Sequence, residues 1–237
     1  MSLPGQFRSA ARAGGVIFLL LLFAFTAWAF LKPAYSRDAL LAGFIRFGDL
    51  RAAGVREDEL PEIAEGIAGF LRGDSVSPQV EVTRYGAKQE VFSQRELDHL
   101  PDVKHMTDWG RLLWWFGLGV LTLLAVIAIR AMIVRDVALP SLLGKSLLGA
   151  ATVFLAFMAG IAIWAASDFT GLFYQMHLWL FTNDLWQMNP AEHMMIQLMP
   201  EAFFRDYALS SLKRMAWLLL AFPIAAGLLS ASHRRAR

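Results

Sequence analysis

The sequence predicts an all-α integral membrane protein with four transmembrane helices and a small extracytoplasmic cap of helices and one β-hairpin. Two observations lead to this prediction. Hydrophobic residues make up 57% of the chain and charged residues only 18%, against about 25% charged residues in soluble globular domains. The apolar residues also cluster into four uncharged stretches that polar segments separate. Composition and clustering together indicate a multi-pass membrane protein.

Each apolar stretch is long enough to cross a bilayer. A transmembrane helix needs about 20 mostly apolar residues, and an unpaired backbone group in lipid costs several kcal/mol, so a spanning segment is helical. Ala27-Trp28-Ala29 also resembles a signal-peptidase site, but the uncharged stretch that contains it, residues 13–31, exceeds the usual signal core of about 7–15 residues, which favours a retained helix. The predicted spans are residues 13–31, 112–129, 146–167 and 215–232.

Basic residues orient the spans with both termini in the cytoplasm. Residues 1–12, 130–145 and 233–237 carry arginine and lysine but one acidic residue, Asp136, and short loops rich in these basic residues stay inside. The net charge of +2 reflects these flanks, which suit anionic lipid head groups and do not indicate nucleic-acid binding. The predicted outer segments are residues 32–111 and 168–214.

The first outer segment is long enough to fold as a cap. Ser36 can cap a helix that runs towards Leu50, and Pro61 fits the first turn of a second helix that ends at Gly73. Apolar residues at helical spacing give the first helix a buried face. That face contains Leu40, Leu41, Phe44 and Phe47.

A hairpin and a capped helix are predicted to follow. Val80 and Val82 alternate with polar residues, and residues 85–87 read as a turn. Ser93 and Glu96 then have the spacing of a capping box, which predicts the start of a helix.

His99 falls in the second turn of this helix. Asp102 lies three residues further on the same face, close enough to hold one imidazole nitrogen and fix its tautomer. Pro101 lies between them, and a proline inside a helix removes a hydrogen bond and disfavours helix at Leu100. The predicted His99–Asp102 pair therefore depends on how the helix accommodates Pro101.

The second outer segment carries His177 in an aromatic stretch that is too short for a fifth span. Trp179 and Trp186 suit the head-group layer, so we expect a helix along the membrane surface with His177 facing inward. Asn189-Pro190 is predicted to begin a short helix, and Pro200 another. One stripe of the surface helix is predicted to contain Phe173, His177, Phe181 and Asp184.

Spacing alone leaves several functions open. One is acid–base catalysis by two histidines, and another is a metal-dependent hydrolase with His99, His177, Asp102 and Asp184 as ligands, although no His-Glu-x-x-His spacing supports it. A third is a non-catalytic membrane subunit. Since the chain has no cysteine, a thiol nucleophile, a cysteine-ligated metal and disulfides are excluded. The histidines interpreted as structural are His105, His193 and His233.

Two motifs, however, resemble one family. The first is residues 92–104, Phe-Ser-Gln-Arg-Glu-Leu-Asp-His-Leu-Pro-Asp-Val-Lys. The second comprises Phe173, His177, Phe181, Asn183-Asp184, Trp186, Asn189-Pro190, Pro200-Glu201 and Phe203-Phe204. Together they look like the bacterial lipoprotein intramolecular transacylase family, Lit, and the likeness covers nearly the whole chain.

The resemblance implies an acyltransferase without a cofactor. Lit proteins move the sn-2 acyl chain of a diacylglyceryl lipoprotein to the α-amino group of its N-terminal cysteine, which gives the lyso-form. The two catalytic histidines of the family match His99 and His177. The implied partners are the lipid-modified N-terminus of a lipoprotein and membrane lipid. The implied location is the bacterial cytoplasmic membrane, with the site at the outer surface.

Amide formation from an ester needs a base for the amine, stabilisation of the oxyanion and an acid for the departing alkoxide. One imidazole can be the base and the other the acid or oxyanion donor. We expect Asn183 to donate to the oxyanion and Asp184 to orient His177, while aromatic walls exclude water. The expected supporting or substrate-binding residues are Asp102, Phe173, Phe181, Asn183, Asp184 and Trp186.

Overall fold

A computed structural model describes residues 5–84, 86–134 and 138–213, and the chain there is mostly helical. The helices are α1 (Gly5–Leu31), α2 (Arg37–Phe47), α3 (Leu50–Ala53), α4 (Leu60–Arg72), α5 (Gln94–Ile133), α6 (Ala138–Ser167), α7 (Phe169–Leu180), α8 (Met194–Leu198) and α9 (residues 201–213). Short 3-10 turns cover Lys32–Tyr35 and Glu57–Glu59. Strands β1 (Glu81–Arg84) and β2 (Ala87–Glu90) pair antiparallel.

The chain divides into two compact units. The first, here the membrane unit, comprises Met1–Trp28, Arg111–Trp164 and Leu212–Arg237. The second, here the cap unit, comprises Ala29–Gly110 and Ala165–Ser211. Both histidines of interest belong to the cap unit.

Three described helices are long and apolar enough to cross a membrane, namely α1, α5 and α6. Within the membrane unit, the ring of Phe25 in α1 lies 4.9 Å from that of Trp114 in α5, and Phe23 lies 5.2 Å from Phe154 in α6. Helix α1 therefore contacts both other spans. The predicted fourth span, residues 215–232, lies outside the described residues.

The cap unit has its own hydrophobic core, in which α2, α4, α8 and the first turns of α5 meet. Phe44, Leu60 and Ile63 are completely buried. Leu100 from α5 and Met194 from α8 join the same core. This packing fixes the part of α5 that carries His99.

Local signals explain where the cap helices begin and end. The Ser36 hydroxyl accepts from the backbone of Ala39 and caps α2, as predicted. That helix ends at Phe47, three residues earlier than expected, because Gly48 is extended and Asp49 caps the separate helix α3. Helix α4 has a proline in its first turn and ends at Gly73, whose φ of 88° favours glycine.

The hairpin is confirmed, with Glu81 opposite Glu90 and Arg84 opposite Ala87. Gly86 in the turn has a φ of 84°, which a residue with a side chain rarely adopts. Val82 is buried whereas all residues of β2 are exposed, so the hairpin contacts the core through its first strand.

Two predictions about the second outer segment were wrong. Helix α7 ends at Leu180, so Phe181 and Asp184 lie beyond it and not on its stripe. Residues 190–192 form a turn instead of a helix at Asn189-Pro190, and α8 begins only at Met194. The helix after Pro200 is confirmed, since the backbone of Phe203 donates to the Pro200 carbonyl at 2.8 Å.

Candidate active site

The turn that carries His99 is anchored by a buried carboxylate. Glu96 Oε2 accepts from the backbone of Ser93 at 2.8 Å, as the capping box predicts. It also accepts from the Ser93 hydroxyl at 2.7 Å. Glu96 Oε1 accepts from the backbone of Met195 at 2.6 Å, and its side chain is 1% exposed. Glu96 therefore joins the start of α5 to the start of α8. The helix then continues through Pro101.

His99 is buried in the second turn of α5, ahead of the uncharged stretch that can cross the membrane. Its ring lies 5.2 Å, edge to face, from the ring of Phe181. Burial lowers its pKa to about 4 because the charged imidazole would lose its water. The neighbouring His177 also lowers this pKa, Asp102 raises it and Arg95 lowers it. His99 is therefore neutral at pH 7.

His177 lies in α7 and is held by its own helix. Its Nδ1 donates to the backbone carbonyl of Phe173 at 2.7 Å. A carbonyl can only accept, so the proton is on Nδ1 and Nε2 carries the free lone pair. Burial lowers the pKa of His177, and the bond to Phe173 opposes this effect. The imidazole is thus a neutral base with a defined tautomer.

Aromatic rings surround His177. The rings of Phe173, Trp186 and Phe181 have centroids 4.3, 4.8 and 5.6 Å from its imidazole. Phe181 is the shared contact, since it also touches His99. The structure therefore brings the two predicted histidines to one aromatic side chain, from segments far apart in sequence.

Asp102 does not form the hydrogen bond expected with His99. Its Oδ2 accepts from Asn183 Nδ2 at 2.7 Å, and among the described residues His99 Nδ1 has no hydrogen-bond partner. Asn183 Oδ1 in turn accepts from the backbone of Leu185. Asn183 is therefore a link between Asp102 and the loop after α7, and its role as an oxyanion donor is not supported.

Asp184 likewise does not contact His177 as expected. It forms an ion pair with Arg95 at 3.3 Å, and Arg95 also donates to the Asp184 backbone carbonyl. Trp186 Nε1 donates to the backbone carbonyl of Asn183 at 2.9 Å. Two contacts thus attach the loop after α7 to α5. One is the hydrogen bond from Asn183 to Asp102, and the other is the ion pair of Asp184 with Arg95.

An open cleft of about 390 Å³ lies beside Phe181 in the cap unit. Its wall combines polar and apolar side chains from α5 and from the end of α7. The lining residues are Asp102, His105, Met106, Trp109, Leu180, Phe181, Thr182 and Asn183.

The described residues contain no group of three or more histidine, cysteine or acidic side chains arranged to hold a metal ion. In particular, Asp102 and Asp184 are bonded to Asn183 and Arg95. The described residues therefore do not bring together the four metal ligands considered for a hydrolase, which are His99, His177, Asp102 and Asp184.

Sequence reasoning missed Arg95 and the second function of Glu96. Arg95 reaches a residue 89 positions away, and no local pattern indicates such a contact. The capping-box spacing revealed Glu96 as a cap, but nothing in the spacing indicated that it also binds the start of α8. His105 and His193 bond to Trp109 and Asn189, which agrees with structural roles.

Comparison with known families decides the assignment. A family model described as lipoprotein intramolecular transacylase Lit matches residues 13–204. The chain belongs to the Lit family. The Lit match includes both histidine-bearing segments, 92–104 and 173–189. Among curated proteins, none matches the chain in sequence.

Solved structures of a Lit protein share the fold. One is the in meso structure of the membrane integral lipoprotein intramolecular transacylase Lit from Bacillus cereus, with a TM-score of 0.62, 20% identity and coverage of 97% of this chain and 95% of that chain. Another is the same protein with a histidine-to-arginine mutation, with a TM-score of 0.56, 20% identity and coverage of 95% and 91%. This likeness concerns the fold, and it agrees with a multi-pass membrane protein.

Proposed function

We propose that this chain moves the sn-2 acyl chain of a diacylglyceryl lipoprotein to the α-amino group of its N-terminal cysteine, and that His99 and His177 are the catalytic residues. The observation that carries the proposal is the contact of both imidazoles with Phe181, in a chain of the Lit family. Two neutral imidazoles supply the acid–base groups that the reaction needs.

We assign the base to His177. Its Nε2 lone pair is free because Nδ1 is bonded to Phe173. The amine nitrogen attacks the ester carbonyl, a carbon–nitrogen bond forms, and Nε2 takes one proton from nitrogen. The carbon–oxygen bond to the glyceryl sn-2 oxygen then breaks, and that oxygen takes the proton from His177. One proton has moved from nitrogen to oxygen, and no cofactor is required.

We assign stabilisation of the oxyanion to His99. With a pKa of about 4 it carries no extra proton at pH 7, but a neutral imidazole still has one N–H to donate to the carbonyl oxygen. Amine and ester belong to one molecule and must close a medium-sized ring. Holding them in contact supplies part of the roughly 7–11 kcal/mol available from proximity.

The surroundings are assigned supporting roles. The aromatic rings around His177 exclude water, which would otherwise hydrolyse the ester. The location that fits these roles is the bacterial cytoplasmic membrane, with both termini inside and the cap unit outside, where a lipoprotein N-terminus and membrane lipid meet it. The proposed supporting residues are Asp102, Phe173, Phe181, Asn183, Asp184 and Trp186.

Mass spectrometry of N-terminal lipopeptides tests the proposal. The chain is expressed in a bacterial host that makes diacyl lipoproteins and has no N-acyltransferase. The expected product has an unchanged total mass and one acyl chain on the cysteine nitrogen. His177→Ala and His99→Ala should each reduce this product by roughly 10²–10⁴-fold, whereas His193→Ala, at a structural histidine, should not.

The assignment of roles has its own readout. His99→Gln keeps a neutral N–H donor and should retain more activity than His99→Ala, whereas His177→Gln lacks a base and should lose as much as His177→Ala. A lipopeptide lighter by one acyl chain would show a hydrolase instead. Unaltered lipopeptides in a well-expressed sample would contradict the proposed function and favour a non-catalytic subunit.

A further inference from the structure

The cleft beside Phe181 carries a negative charge next to the proposed catalytic residues. Asp102 is the charged residue among its lining side chains. His105 accepts from Trp109 Nε1 through Nε2 at 3.0 Å, so this nitrogen presents no N–H donor to the cleft. A cavity with this lining repels anions and attracts a cation.

Asp102 is positioned to accept from a ligand. Asn183 donates to Oδ2 and fixes the orientation of the carboxylate, while Oδ1 has no hydrogen-bond partner within the described part of the chain. The side chain is half-buried, so a charge-assisted hydrogen bond made there is stronger than one in open water. The carboxylate therefore has a fixed orientation and one oxygen, Oδ1, that can still accept a hydrogen bond.

The rest of the cleft fits a cation attached to an apolar body. Phe181 and Trp109 present aromatic rings, whose faces attract ammonium groups. Met106 and Leu180 add apolar surface. The volume of about 390 Å³ falls within the range of about 300–1,000 Å³ that small-molecule sites occupy. A free lipid tail would use the apolar wall but leave the carboxylate without a partner.

We propose that Asp102 binds the α-ammonium group of the lipidated substrate in this cleft, with Asn183 as the residue that positions the carboxylate. The inference rests on the function proposed above and names the group that selects its substrate. Because Phe181 lines the cleft and also touches both imidazoles, an ammonium held at Asp102 lies one side chain away from them. Asp102 thus selects chains whose N-terminus is free. The bound ammonium must first release one proton to water, which is accessible for an α-amino group with an ordinary pKa of about 7.7–8.0; the neutral amine can then attack as described above.

Binding of an unreactive substrate analogue tests this inference. The probes are two synthetic diacylglyceryl-cysteine-type lipopeptides whose chains are joined by ether bonds, so that no acyl group can move. One has a free α-amine and the other is N-acetylated. The wild-type protein should bind the free amine at least about 10-fold more tightly, as expected for a charge-assisted hydrogen bond.

Variants of the cleft should remove this preference selectively. Asp102→Asn should bind both probes equally, with its affinity for the acetylated probe unchanged. Asp102→Glu keeps the charge and should retain part of the preference, which provides a readout if the asparagine variant does not fold. Asn183→Ala should reduce the preference. Asp98→Asn changes an exposed carboxylate of the same helix and should behave as the wild type.

Three outcomes would overturn the inference. One is a wild-type protein without any preference for the free amine, and another is an Asp102→Asn variant that keeps the preference. The third is equal weakening of both probes in that variant, which would indicate a structural role or a cleft for an acyl chain. Because the probes cannot react, these results are independent of the transfer assay, whose failure would instead contradict the proposed function.

Discussion

The two histidine-bearing segments reach a similar electrostatic state by different means. Around His99, the core of the cap unit and the buried carboxylate of Glu96 fix the helix and remove water. Helix α7, in contrast, has no buried residue, and His177 is shielded by aromatic rings and fixed by a bond within its own helix. Burial lowers both pKa values. One segment is therefore held by the core, and the other by local bonds and a few side-chain contacts.

Acidification should have the largest of the effects predicted here, a loss in the free energy of unfolding that arises in the segment of His99. Unfolded His99 takes a proton near pH 6.5, whereas the folded residue does so only near pH 4. The free energy of unfolding should therefore fall as the pH decreases from about 6.5 to about 4, by about 3 kcal/mol from this residue. Unfolding of the wild type and His99→Gln in detergent at pH 7 and pH 4.5 measures it.

The variant provides the control for the other groups that titrate in this range. His99→Gln should lose less stability on acidification than the wild type does. An equal loss in both proteins would mean that His99 is not shielded from water as its burial indicates.

Removing the charge of Glu96 should have the next largest effect. In Glu96→Gln an amide N–H faces one of the donors that the carboxylate now accepts from, so buried backbone groups lose partners. We expect a loss of about 1.5–3 kcal/mol in the free energy of unfolding, measured by chemical denaturation in detergent. Glu62→Gln, at an exposed position in the first turn of α4, should change stability little, and a similar loss there would contradict the assigned anchoring role.

The smallest effect on stability is expected for the exposed ion pair that attaches the second segment to α5. A double-mutant cycle with Arg95→Ala and Asp184→Ala should give a coupling free energy of about 0.2–1 kcal/mol, since Asp184 is largely exposed. The free energy of unfolding of the four proteins of the cycle, measured by chemical denaturation in detergent, is the readout. A coupling as large as the effect of Glu96→Gln would mean that the two segments are fixed equally firmly.

Local patterns predicted the first segment well and the second poorly. The capping box at Ser93 and Glu96 is a local signal, and the structure forms its bond from the Ser93 backbone to the Glu96 carboxylate. The spacing from Phe173 to Asp184 also looked helical, but α7 ends at Leu180 because the backbone of Phe181 is extended. Asn183 then accepts from Leu185 in a turn that competes with helix. Periodicity shows which residues could share a face and does not show where the helix ends.

The side-chain contacts of the site could not be predicted from local sequence patterns, because their partners are far apart in the sequence. Asn183 lies 81 positions from Asp102, and Asp184 lies 89 from Arg95. Nearest-turn spacing instead favoured Asp102 with His99 and Asp184 with His177, and neither hydrogen bond forms. A carboxylate in the folded protein can accept from any donor that the tertiary structure brings near it, so partners distant in sequence, such as Asn183 for Asp102, do not follow from local spacing.

The hydrogen bond from His177 to the Phe173 carbonyl determines when the imidazole side chain becomes ordered, during folding or on binding. The acceptor belongs to the same helical turn, so the rotamer of the imidazole is selected when α7 forms. Ordering a side chain costs conformational entropy, and here that cost falls on folding instead of on the encounter with lipid. Under the proposed function, differences in rate between one lipoprotein and another should then arise from the flexibility of the incoming peptide and its chains, while the imidazole of His177 keeps the orientation that it acquired on folding.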